Sequence, residues 1–67
     1  MIVFKRLDQA KGHQELILET VEDAKKEYDT AVRDGYIVSY NYTIIKNKDE
    51  ITDNQGEMTA FKPISGG

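Results

Sequence analysis

Three kinds of residue in this sequence could do chemistry: a single histidine, a large set of carboxylates, and the glycine pair Gly66-Gly67. Metal ligands come in sets, and the chain has no cysteine, so His13 is expected to be an ordinary surface residue and no metal site is expected. General acid–base work needs a base held near a nucleophile. Ser39 and Ser65 have no histidine beside them in sequence. Gly12, Gly35, Gly56, Gly66 and Gly67 match no phosphate-cradling loop. Catalytic residues and cofactors are therefore not expected; a binding role is. Gly66 and Gly67 carry no Cβ and accept almost any backbone angle, so residues 64–67 read as a thin, flexible tail able to thread a narrow channel.

The carboxylates are unevenly spread. Residues 1–14 carry +2, residues 15–34 carry −4, residues 35–48 carry +2 and residues 49–67 carry −3, for a net charge of −3. Direct nucleic-acid binding is disfavoured, because no basic stripe is present to neutralise phosphates. The candidate acidic binding residues are Glu15, Glu19, Glu22, Asp23, Glu27, Asp49, Glu50 and Asp53. The plain expectation is a solvated surface with Lys25, Lys26 and Arg33 interleaved as helical ion pairs. The sharper one is a row of carboxylates that imitates phosphates and occupies a basic nucleic-acid-binding protein.

The 67 residues allow one domain, with residues 1–63 as its body. So short a chain buries only about 60% of its unfolded surface, which favours surface binding over an enclosed cleft. The absence of cysteine fits a cytoplasmic protein. No apolar run approaches the roughly 20 residues a membrane span needs, and Met1 to Arg6 lacks a signal-peptide layout.

The elements that must position these groups are legible in pattern. Residues 2–7 read as a strand with Ile2 and Phe4 on one face. Asp8 to His13 reads as a turn, and Gln14 to Glu19 as an alternating second strand that pairs with the first in a hairpin. Thr20 is a good helix N-cap, with Asp23 three residues on. Val21, Ala24, Tyr28, Ala31 and Val32 then form an apolar stripe, and Gly35 is the stop, so a helix is expected over Val21 to Asp34.

Tyr36 to Ile45 reads as one strand, with Tyr36, Val38, Tyr40, Tyr42 and Ile44 on one face. The tyrosines are expected to pack under the helix beside Tyr28, or else to anchor a partner. Asn47 to Gly56 reads as a loop too polar to be core, and Glu57 to Lys62 as a last strand ended by Pro63. The expected fold is α+β: a four-stranded sheet with one helix across it, in the order ββαββ. Parallel pairing of first and last strands at its centre makes this a β-grasp; two hairpins side by side make it a plain antiparallel sheet. An exposed edge strand or tyrosine face covered by a second copy makes a homodimer.

The stretch Glu57-Met58-Thr59-Ala60-Phe61-Lys62-Pro63-Ile64-Ser65-Gly66-Gly67 resembles the C-terminus of ubiquitin-like sulfur carriers, the molybdopterin-synthase small subunit and the thiamine-biosynthesis carrier. Ala60-Phe61 stand as the end of the strand, Pro63-Ile64 as the apolar step and Ser65-Gly66-Gly67 as the tail. The resemblance implies a β-grasp body, activation of the Gly67 carboxylate by an ATP-using partner enzyme, and sulfur transfer to a thiocarboxylate. Residues 64–67 would reach ~13 Å when fully extended. The competing expectation, which does not need the tail, is a small acidic inhibitor of the phage type that blocks a basic host protein.

Overall fold

The computed structural model of the chain describes residues 1–8 and 12–63. Its strands are β1 (Ile2–Asp8), β2 (Gly12–Leu18), β3 (Ile37–Tyr40), β4 (Thr43–Ile45) and β5 (Gly56–Phe61), with one helix, α1 (Val21–Arg33). They form a single mixed sheet in the order β2-β1-β5-β3-β4. β1 pairs antiparallel with β2 and parallel with β5, and β5 pairs antiparallel with β3. The first and last strands thus lie side by side at the centre, and α1 covers one face.

Alternation explains which face. Ile2 and Phe4 of β1, Met58 and Ala60 of β5, and Val38 and Tyr40 of β3 are buried together with Ala24, Tyr28 and Ala31 of α1. Each Ile or Phe side chain so buried contributes about 1.5–3 kcal/mol of transfer free energy.

The helix ends follow local chemistry. Thr20 is extended at φ −134° and its Oγ1 accepts from the Asp23 amide at 3.2 Å. The Val21 amide, otherwise orphaned in the first turn, donates to Asn54 Oδ1 at 2.8 Å. At the other end Gly35 takes φ +89°, the Gly35 amide donates to the Val32 carbonyl and the Tyr36 amide to the Ala31 carbonyl. That paired arrangement is a Schellman closure, and Tyr36, which follows it, is buried in the core.

The long strand expected over Tyr36 to Ile45 is two strands, so the sheet has five strands and not four. Asn41 (φ 51°) and Tyr42 (φ 69°) both lie in the left-handed region, which is the two-residue hairpin turn whose twist matches the strands it joins. Tyr40 faces Thr43 across it, and Val38 faces Ile45. Reversal over two residues swaps parity. Ile45 therefore joins the core, while Tyr42 and Ile44 leave the face of Tyr36, Val38 and Tyr40 and stand 85% and 57% exposed.

Two further expectations need correction. Residues 47–56 are not free of core: Ile51 is buried, held after a short 3-10 helix (Lys48–Glu50). Glu50 Oε2 accepts from the Lys46 and Asn47 amides, and Asn47 Oδ1 accepts from the Asp49 amide, which closes a capping box. Val32, placed on the apolar stripe, is exposed although Ala31 beside it is buried, because at about 100° per residue it stands at the edge of the face that Ala24 and Ala31 turn inward. Among the described residues no helix is long and apolar enough to cross a membrane.

Candidate functional site

Residues alternating with the core form the second face of the sheet, which no described element covers. Strand register sets it out in rows. One runs Glu15, Lys5, Thr59, Ser39, Ile44 across all five strands. The next runs His13, Leu7, Phe61, Ile37, and on the other side lie Ile17, Val3 and Glu57. Val3, Leu7, Ile37 and Phe61 are half-buried by their neighbours; Ile17 is 53% exposed. Apolar and polar groups are mixed on this face, and His13 is an exposed member of it.

The carboxylates singled out in the sequence do not form one row. Glu22 and Asp23 occupy the first turn of α1, where acidic groups suit the positive end of the helix dipole. Asp53 is brought towards them because its neighbour Asn54 caps Val21, and the Tyr40 hydroxyl lies 3.1 Å from the Asp53 carbonyl and 2.9 Å from that of Gln55. Glu19 directly precedes the N-cap, so Glu19, Glu22, Asp23 and Asp53 gather around the start of α1, all exposed. Elsewhere the acids are engaged. Asp49 pairs with Lys25 at 3.7 Å, and Lys48 donates to Asp29 at 3.2 Å. Glu50 is a cap, Glu27 is half-buried on α1, and Glu15 stands opposite Lys5 on the open face.

A basic–aromatic cluster at the other end escaped the sequence reading. The Arg6 guanidinium sits 5.0 Å from the Tyr36 ring centre and 6.0 Å from that of Phe4, and the Lys62 ammonium is 5.0 Å from the Tyr36 ring. Nε and Nη2 of Arg6 are buried without a hydrogen-bond partner. Desolvating them is unfavourable, and cation–π attraction of up to about 2 kcal/mol offsets part of that cost. The signal was present: Ile2, Phe4 and Arg6 share parity, so Arg6 points to the helix side.

Two tyrosines titrate above their ordinary range. Tyr42 donates to Glu57 Oε2 at 2.5 Å, and that hydrogen bond, then the carboxylate's charge, raises its pKa from 10.0. Burial raises that of Tyr28, with Glu50 and Asp29 adding to it.

Among the described residues no group of three or more His, Asp or Glu side chains could hold a metal ion. Gly66 and Gly67, the expected carrier tail, lie outside the described residues. Compared with protein-family models, with curated proteins and with solved structures, the chain matches none.

Proposed function

We propose that the chain is a non-enzymatic, protein-binding module of β-grasp architecture, a ubiquitin-like carrier acting through Gly66 and Gly67 in the cytoplasm. The observation that carries this reading is the parallel pairing of β1 with β5 at the centre of the sheet beneath a single helix. It is the arrangement implied by the resemblance of residues 57–67 to sulfur-carrier ends. The Leu7–Phe61–Ile37 row lies where β5 runs out towards Pro63 and offers a partner enzyme an apolar seat at that end of the sheet.

In this reading the Gly67 carboxylate attacks the α-phosphate of ATP on the activating partner and pyrophosphate leaves. Hydrosulfide then displaces AMP to give the thiocarboxylate; where a partner's persulfide attacks instead, the acyl disulfide formed is cleaved by a thiol reductant. Incubation with ATP and an activating enzyme of this class, followed by intact-mass spectrometry, tests it. An adenylate or thiocarboxylate is expected, and it is lost when Gly66 and Gly67 are deleted. No mass change across such enzymes overturns the reading.

A second reading is favoured by the gathering of Glu19, Glu22, Asp23 and Asp53 at the start of α1. It makes the protein an acidic inhibitor of a basic nucleic-acid-binding protein, with salt-sensitive association. Neutralising these four side chains then weakens binding and flattens its salt dependence. Unchanged binding removes this alternative.

A further inference from the structure

The two edges of the sheet are built differently. An edge strand presents unpaired backbone groups, and proteins blunt such edges with shortness, lysine or proline. β4 is three residues long and is followed by Lys46 and Lys48 around the 3-10 helix. β2 is seven residues long, contains neither lysine nor proline, and exposes Leu16 and Ile17 at 48% and 53%. Leu16 faces Phe4 and so lies on the α1 side; Ile17 faces Val3 and lies on the open side. Two adjacent apolar residues are therefore exposed, one on each face, on the longer edge, where Glu15 is the acidic residue of the strand and lysine and proline are absent from it.

We propose that the β2 edge is completed by β2 of a second copy, antiparallel about a two-fold axis perpendicular to the sheet. The occupant follows from self-complementarity. That symmetry keeps α1 on the same side in both copies and sets one residue of β2 opposite itself. Centring on Glu15 opposes two carboxylates, which is unfavourable. Centring on Leu16 sets Leu16 against Leu16 of the second copy, Glu15 beside Ile17, and Gln14 beside Leu18. No like charges meet, and both exposed apolar side chains gain cover. The two five-stranded sheets become one continuous sheet. A union through one short strand buries less than the roughly 1,200–2,000 Å² of a standard interface, so the dimer is weak and concentration-dependent.

Sedimentation equilibrium over a wide concentration range tests this. A monomer–dimer equilibrium is expected. Leu16→Lys is expected to weaken it at least about tenfold, while Ile44→Lys, at a comparably exposed position on the opposite edge, leaves it intact. Because the chain has no cysteine, Leu16→Cys supplies a single thiol. It is expected to form a disulfide-linked dimer under mild oxidation, faster than Ile44→Cys. A single monomer mass at every concentration overturns the proposal, as does a dimer indifferent to Leu16→Lys. Failure of Leu16→Cys to cross-link overturns the Leu16-centred register even where dimers form.

Discussion

Among the described glycines, Gly56 is the one with no room for a Cβ. It takes φ +137°, and a Cβ there would lie 2.5 Å from Oδ1 of Asn41. That oxygen already accepts from the Glu57 amide at 2.9 Å, so the Asn41 side chain cannot withdraw without giving up this hydrogen bond. Gly56→Ala is expected to lower stability by about 1–3 kcal/mol, read as a shifted denaturation midpoint at constant slope. Tyr28 gives a pH-dependent counterpart. Its pKa is raised in the folded state, above the ordinary 10.0. Below pH 10.0 its contribution is fully present. As pH rises further the unfolded chain loses its phenolic proton first, and stability falls through the folded value. Tyr28→Phe removes that share of the basic-pH loss, while the share from Tyr42 persists; denaturation midpoints of both proteins across basic pH measure it.

At the scale of elements, α1 was legible because its signals are local: Thr20 caps, Ala24 and Tyr28 face inward, Gly35 stops. The hairpin was not. Asn-Gly announces a left-handed pair, but Asn41-Tyr42 puts a bulky residue where glycine is usual, and unbroken alternation from Tyr36 to Ile44 hid the reversal. Ile51 was missed for a related reason, being one apolar residue among polar neighbours whose burial depends on the distant α1 layer. The candidate site was legible to the same degree. Register places the rows of the open face once the pairings are known, whereas engagement of Asp49 and Glu50 depends on a 3-10 turn whose one sequence signal is the Asn47–Glu50 capping-box spacing inside a polar stretch. The loop that carries Ile51 is also tied down by Tyr40, whose hydroxyl reaches the carbonyls of Asp53 and Gln55. Tyr40→Phe is expected to cost about 1 kcal/mol and to speed amide exchange in residues 52–56 while β1 stays protected. Equal acceleration in both segments would mean that the hydroxyl holds no local structure.

For the whole molecule, the placement of β1 beside β5 matters most. Ile2 aligns with Gly56 and Leu7 with Phe61, so the strand that opens the chain and the strand that nearly closes it run the same way. Their contacts form only after the intervening chain has been looped, so this non-local pairing is expected to slow folding relative to a sheet of local hairpins. The same geometry has a mechanical consequence. Tension applied between Met1 and Pro63 drags β1 and β5 past each other along their length, so the row of hydrogen bonds between them is loaded in shear, all at once. Pulling across β2 and β4 instead peels the sheet from its edges, one bond after another. In single-molecule stretching the protein should therefore resist a pull between Met1 and Pro63 with a distinctly higher rupture force than a pull between Gln14 and Ile44, behaving as a stiff link along one axis and a tear strip along the other.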